Sequence, residues 1–192
     1  MRAATVAATG VAVVGGYLLG SVPVAVLVGR RHGVDPRRLG DGNPGYWNLR
    51  EYLGARRAAP VFAGDVAKGM AAGLVGVVVA PVGAWGVGYA AVGAAMIGHA
   101  WPIFARFRGG RSILTWAGGM CVLSPLAGLV AVSGFAAVAL TGSFAWGARL
   151  GVFAFPVVQL VVEGPYRTAA TGALMSIIGL RFASAAHATG RR

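Results

Sequence analysis

The sequence predicts an all-α fold: a polytopic membrane helix bundle of seven transmembrane helices, forming a single integral membrane domain over residues 1–192. Three observations carry that expectation. Hydrophobic residues make up 57% of the chain and charged ones only 11%, against about 25% charged in an average soluble domain, so lipid is the solvent for most of it. The seventeen basic residues, sixteen arginines and Lys68, lie mostly between apolar runs instead of on one polar domain. Thirty-two glycines in so apolar a chain point to closely approaching helices. Gly16/Gly20, Gly69/Gly73 and Gly147/Gly151 have the small-xxx-small spacing that lets two helix backbones touch, although a chain this rich in glycine also produces such pairs by chance.

A membrane span needs roughly 20 apolar residues, fewer where neighbours bury its ends. Seven runs fit, at about residues 4–28, 59–80, 83–104, 113–123, 126–141, 146–162 and 169–186, the fourth being the shortest. In lipid every backbone N–H and C=O needs an internal partner, which makes these runs helices of a bundle and not strands of a barrel. A cleaved signal peptide competes for the first run, but its apolar stretch exceeds the usual core of about 7–15 residues. Short connections hold Ser124-Pro125, Gly142-Ser143 and Gly164-Pro165. The one long connection, about residues 30–58, carries enough glycine and proline to suggest an ordered re-entrant or interfacial loop.

Loops facing the cytoplasm are enriched in Lys and Arg. The connection after the first run holds Arg30, Arg31, Arg37, Arg38, Arg50, Arg56 and Arg57, and the one after the third holds Arg106, Arg108 and Arg111. Arg149 follows the fifth, and Arg181, Arg191 and Arg192 end the chain. The turns at Pro81 and Ser124-Pro125 hold none, and the turn after the sixth run holds Glu163 with Arg167. This alternation puts the N-terminus outside and the C-terminus in the cytoplasm. A net charge of +12 would suggest nucleic acid in a soluble protein; spread over membrane loops it fits anionic headgroups, with no nucleic acid as partner.

Two loops could carry chemistry. In Leu39–Arg50, Gly40, Gly42 and Gly45 can turn backbone N–H groups toward an anion, while Asn43 and Asn48 add side-chain donors and Arg50 adds charge. A tight interfacial turn, with Tyr46 and Trp47 at headgroup level, explains the same segment. In Gly98–Ser112, Arg106, Arg108 and Arg111 surround Gly109-Gly110 where one helix ends and the next begins, a setting that attracts phosphate; a basic loop that only fixes topology is the alternative. Asp65 and Lys68 stand one helical turn apart inside the second run, where ionisable residues are costly. They either neutralise each other or face the loops. His99 lies at similar depth as a packing residue or a catalyst.

Several chemistries are excluded by inventory. One cysteine, Cys121, allows no disulfide framework and sits in an apolar run as a packing residue. His32, His99 and His187 have no metal-binding spacing, and neither a nucleophile elbow nor a phosphate-loop lysine motif occurs. No metal or other cofactor is expected.

These residues, in order, resemble the bacterial acyl-phosphate glycerol-3-phosphate acyltransferase family (PlsY). Tyr17–Pro23 through Gly29-Arg30 looks like its first motif, with Ser21 inside it. Leu39–Arg50 is similar to its GSGNxGxTN motif, and Asp65, Lys68 and Gly69 to its DxxKG element. Gly98-His99, Pro102, Phe104 and Phe107–Arg111 resemble GHxxPxFxxFKGGKG. The resemblance implies a seven-span bacterial plasma-membrane enzyme of phospholipid synthesis. It would move a fatty acyl group from acyl phosphate to the 1-hydroxyl of glycerol 3-phosphate, giving lysophosphatidic acid. The mixed anhydride is already activated, so orientation and charge stabilisation suffice without a nucleophile or a metal, substrate phosphate helping as base.

By that resemblance Arg111, Asn43 and His99 are the expected catalytic residues. Ser21, Gly40, Gly42, Gly45, Asn48, Arg50, Asp65, Lys68, Arg108, Gly109 and Gly110 are expected to bind substrate. The chain departs from the pattern at Asp41 (serine in the family), Trp47 (threonine), Glu51 (arginine), Arg111 (lysine) and Ser112 (glycine). Phe182 and Ala185 stand at the positions of a His and an Asn. Two readings follow: an acyltransferase, or a protein of the same fold that binds anionic lipid or acyl phosphate without turnover, or acylates another acceptor. A transporter fits less well, because the polar groups gather at one face and not at the midplane.

Overall fold

The computed structural model describes residues 2–189, with side chains as far as 185; Arg191 and Arg192, used above for orientation, lie outside the described residues. Among the described residues the chain is all-helical, with nine α-helices and two short 3-10 turns. The first, α1 (Arg2–Gly20), breaks at Ser21–Pro23 and resumes as α2 (Val24–Arg31). Proline removes a backbone donor and forces the residue before it out of helical conformation, which places the break there. Arg30 and Arg31 in the last turn of α2 favour the negative end of its dipole.

The connection after α2 is ordered, as expected, and contains a helix of its own. A 3-10 turn (Pro36–Arg38) is followed by α3 (Tyr46–Leu53), and Gly54, at φ +82°, reverses the chain into α4 (Ala55–Val79). Ala25, Leu49, Ala58 and Val61 form a small buried core beneath it. The Asn48 side-chain amide nitrogen lies 2.9–3.0 Å from the carbonyl oxygens of Pro36, Leu39 and Asn43 and shares its two N–H groups among them, so one buried side chain ties three points of the loop together.

The central helix is α5 (Gly86–Ala100), most of whose residues are buried. It leads through a second 3-10 turn (Ile103–Ala105) and a loop into α6 (Ile113–Leu123). Then come α7 (Pro125–Leu140), α8 (Phe144–Glu163) and α9 (Pro165–Thr189). Five segments are long and apolar enough to cross a membrane: Arg2–Arg31, Ala55–Val79, Gly86–Ala105, Phe144–Glu163 and Pro165–Ala185. The runs expected at 113–123 and 126–141 form helices of 11 and 16 residues, shorter than a free-standing span needs. Val78, Val82, Phe153 and Val161 are among many large apolar side chains left on the outside, a surface that suits lipid and not water.

All three small-xxx-small pairs lie at helix contacts. Gly16 and Gly20 of α1 meet the Ala91 and Ala95 carbonyls of α5. Gly69 and Gly73 of α4 face Thr115 and Gly119 of α6, and Gly147 and Gly151 of α8 face Phe135 and Ala131 of α7. A Cβ at Gly16, Gly20 or Gly69 would run into the facing backbone. These are the three most extensively packed helix pairs, as close backbone approach requires. Behind them Val92, Met96, Trp116, Met120 and Phe155 form the main core, with Trp116 and Phe155 edge to face at 5.3 Å.

Candidate functional site

The α1–α2 break exposes the Val22 carbonyl to the bundle interior, and Lys68 Nζ of α4 donates to it at 3.2 Å. The same ammonium lies 2.8 Å from Asp65 Oδ1, with both side chains more than nine-tenths buried. His99, at the last turn of α5, places Nδ1 3.5 Å from that oxygen. Three separated sequence positions thus share one buried charge cluster. Ser21 is completely buried beside it, because Gly98 lets α5 close against the Tyr17 carbonyl and the Ser21 backbone. Neither Ser21 Oγ nor His99 Nδ1 has a hydrogen-bond partner.

The loop after α5 folds over this cluster. The Gly110 N–H donates to the His99 carbonyl at 3.0 Å, and side chains at Gly109 or Gly110 would collide with the His99 backbone or ring. Arg106, Phe107 and Ser112 all have left-handed backbone conformation, at φ +56°, +58° and +65°, which is uncommon outside glycine and concentrates at functional sites. The buried Ser112 hydroxyl donates to the Met96 carbonyl at 2.7 Å. Arg181 of α9 donates to the Gly109 and Gly110 carbonyls at 2.8 and 3.1 Å, clamping the loop from the other side.

A cavity of about 390 Å³ opens between the two loops, lined by Arg37, Gly42, Pro44, Phe107, Arg108, Gly109 and Arg181. Its size falls within the roughly 300–1,000 Å³ of small-molecule sites. A smaller inner pocket reaches Gly20, Asp65, Lys68 and His99 and shares Pro44, Arg108 and Gly109 with it. Three guanidinium groups meet at the outer cavity. Arg37 is held by Asp35 through side-chain bonds of 2.8 and 2.9 Å; those bonds, opposed by burial, draw the Asp35 carboxyl down to about 2. Arg108 pairs with no carboxylate among the described residues. The wall is therefore positive, and its free charge is carried by Arg108 and Arg181.

Of the residues expected from sequence, Gly42, Asp65, Lys68, His99, Arg108, Gly109 and Gly110 line these pockets. Ser21 adjoins the inner one, and Asn43 and Gly45 flank Pro44. Four others are engaged elsewhere. The Asn48 amide is spent on the loop carbonyls, and Gly40, at φ +50°, donates its N–H to the Tyr52 hydroxyl. Arg50 sits over the Trp47 and Phe144 rings at 5.1 and 4.9 Å, on the aromatic side of α3. Arg111 pairs with Asp41 at 2.7 Å and stacks on Phe182 at 4.4 Å. Sequence reasoning missed Arg37 and Arg181 as cavity residues; Arg37 was visible only as a member of a basic loop, and Arg181 only as a basic residue near the end of the chain. Among the described residues no three of His, Cys, Asp or Glu come together as a metal site.

Comparison with known proteins adds a family. The model of the glycerol-3-phosphate acyltransferase family matches residues 10–189. A stretch of 102 residues is 45% identical to the glycerol-3-phosphate acyltransferase of Rubrobacter xylanophilus, covering 53% of this chain and 50% of that protein. The enzyme of Exiguobacterium sibiricum is 45% identical over 105 residues, covering 52% and 48%. The chain thus spans about half the length of the curated relatives it matches. The crystal structure of PlsY (YgiH), an integral membrane glycerol 3-phosphate acyltransferase, in its glycerol 3-phosphate form superposes with a TM-score of 0.80 at 25% identity, covering 96% of this chain and 94% of that one. Its lysophosphatidic acid form gives 0.78 at 24%, covering 96% and 93%, a likeness of fold.

Proposed function

Since the chain belongs to the glycerol-3-phosphate acyltransferase family, we propose that it transfers a fatty acyl group from acyl phosphate to glycerol 3-phosphate. The product is lysophosphatidic acid, and inorganic phosphate is released. The observation that carries this reading is the basic cavity between two glycine-bearing loops, continuous with the buried Asp65–Lys68–His99 cluster. Both substrates bear phosphate, and guanidinium groups bind phosphate oxygens through paired N–H donors. The 1-hydroxyl oxygen attacks the acyl carbon, the bond from that carbon to the phosphate oxygen breaks, and the hydroxyl proton leaves with phosphate. Arg108 and Arg181 stabilise the departing charge, Arg37 adds field from its pair with Asp35, and Gly109-Gly110 lets the phosphate approach backbone. Asp65, Lys68 and His99 position the loop; Ser21 Oγ and the Asn43 side chain are neutral groups adjoining the pockets, beside Gly20 and Val22 and beside Gly42 and Pro44. No nucleophilic side chain, metal or other cofactor is required, because the anhydride is already activated.

The same proposal extends to topology. We infer seven passes through a bacterial plasma membrane in one domain of residues 1–192, with the N-terminus outside and the site on the cytoplasmic side. Helix α6 is short but mostly buried, so neighbouring helices supply what lipid cannot, and α7 carries lipid-facing Leu129, Val130 and Val132. The arginine alternation supports the orientation. Nucleic acid is no partner of such a surface.

A second reading, binding without turnover, draws support from Arg50 and Arg111, whose guanidinium groups already face aromatic rings or a carboxylate. One assay separates the two. Purified protein given acyl phosphate and glycerol 3-phosphate should release phosphate and form lysophosphatidic acid. Arg108→Ala should lower the rate about 10–100-fold, as loss of a charged hydrogen bond worth roughly 1.5–3 kcal/mol implies. Binding of acyl phosphate with no phosphate release would favour the second reading, and hydrolysis without lysophosphatidic acid would point to another acceptor.

A further inference from the structure

Asp41 stands between the two loops with both carboxylate oxygens engaged. Oδ2 takes a hydrogen bond from Arg111 Nη2 at 2.7 Å, and Oδ1 accepts the Asn43 backbone N–H at 3.1 Å. A guanidinium and a backbone amide converging on one anion is how proteins hold phosphate as well as carboxylate. The Phe182 ring fixes the guanidinium from its other face at 4.4 Å, and Arg111 Nε is buried without a partner, so Arg111 retains donor capacity beyond what Asp41 uses. Asp41 is reachable from outside. Its side chain is 44% exposed, and it lies between Gly40 and Gly42, at φ +50° and +71°. Gly42 lines the outer cavity, and so does Arg108, three residues before Arg111.

We propose that Asp41 is a resident anion that competes with substrate phosphate for Arg111, and so sets which phosphate-bearing molecules the site admits. The proposal rests on the reading of this cavity as a phosphate site, though not on acyl transfer. A carboxylate tethered beside its guanidinium competes at high effective concentration. A weakly held anion fails to displace it, whereas a phosphate also gripped by Arg108 succeeds, after which Arg111 joins Arg108 on the ligand. Asp41 is then a specificity-determining residue whose removal makes the site less selective.

The test is a double-mutant cycle on the full chain in lipid nanodiscs, read as the Kd for inorganic phosphate. Asp41→Asn and Asp41→Ser both remove the charge while keeping an acceptor for the Asn43 N–H, so a loop that depends on that turn persists in at least one. Each should tighten phosphate binding about five- to tenfold, in the lower range of coupling between competing ligands. In an Arg111→Ala background the tightening should vanish. Unchanged or weaker binding in both Asp41 variants overturns the proposal, as does equal tightening without Arg111, which would be a long-range charge effect. Tightening in a protein that shows no acyl transfer leaves this proposal standing and removes the acyltransferase reading; acyl transfer without tightening does the reverse.

Discussion

Two polar clusters are buried at opposite ends of α5, and they differ in how completely their hydrogen-bonding groups are used. Near its start, Tyr89 joins Gln159 of α8, Ser124 between α6 and α7, Thr171 of α9 and Glu163. Gln159 Nε2 donates to the Tyr89 and Ser124 hydroxyls at 2.8 and 2.6 Å and to Glu163 at 3.1 Å. Its carbonyl accepts the Thr171 hydroxyl at 2.6 Å, and the Ser124 hydroxyl donates to Glu163 at 2.8 Å. Near the end of α5, His99 and Ser21 have a buried atom each with no partner, beside an open pocket. Saturated buried networks specify a fold; unsatisfied polar atoms in a native interior call for an explanation, and a ligand is one. The difference marks one end of the bundle as a fastener tying α5, α8 and α9 to the α6–α7 junction, and the other as the end where the candidate site opens.

Breaking the comparison starts with the largest expected effect. Lys68→Met leaves Asp65 as an unpaired carboxylate in the interior, and removal of one member of a buried pair costs about 3–5 kcal/mol. Thermal unfolding in detergent should fall steeply for this variant, and adding Asp65→Asn should recover much of the loss. If the single variant unfolds like wild type, the pair is not the buried charge centre described above.

Gln159→Leu should come next. It leaves the Thr171 hydroxyl with only the Met120 sulfur and removes the two amide N–H groups shared among Tyr89, Ser124 and Glu163, and each unsatisfied buried group costs about 1–3 kcal/mol. Because this network lies about ten residues of helix, or roughly 15 Å, from His99, KM for the phosphate substrates should stay put while stability drops. A loss of rate as large as that expected for Arg108→Ala would erase the distinction between the two ends.

The smallest effect concerns the rim of the cavity. The Asp35 carboxyl is drawn down from 3.8 to about 2, first by its hydrogen bond from Arg37. A lowered folded-state value means that this pair stabilises the fold above about pH 4 and loses that contribution as pH falls through about 2. Stability curves for wild type and Asp35→Asn should therefore converge below pH 2 and separate above pH 4. Parallel curves across that window would show that the pair contributes nothing, as many exposed ion pairs do.

Much of the architecture was legible in one dimension because its causes are local. Apolar run length and the glycine pairs each depend on a few neighbouring residues and on the absence of water, whereas the break at Ser21–Pro23, inside a run read as continuous over 4–28, came only with the structure. Five of the expected runs correspond to helical segments long enough to span, and the two short ones fall where the sequence was least apolar in extent. The candidate site was legible in outline, since glycine-rich and arginine-rich loops announce anion chemistry wherever they fold. Which arginine faces the cavity was not. Arg50 and Arg37 lie in the same basic connection, yet Arg50 turns to Trp47 and Phe144 while Arg37 lines the cavity.

Composition and spacing alone thus determined that this chain is a helical membrane protein with most of its basic residues between the apolar runs, because lipid imposes that solution on any chain so apolar. Tertiary structure decided the rest. Asp41, Arg111 and Phe182 are far apart in sequence and individually depart from the family pattern, yet they meet as one ion pair stacked on one ring. Asp65, Lys68 and His99 share a charge centre only because Gly98 and Gly110 let backbone and imidazole close to contact. Such pairings depend on distances between helices, and no single stretch of sequence carries that information.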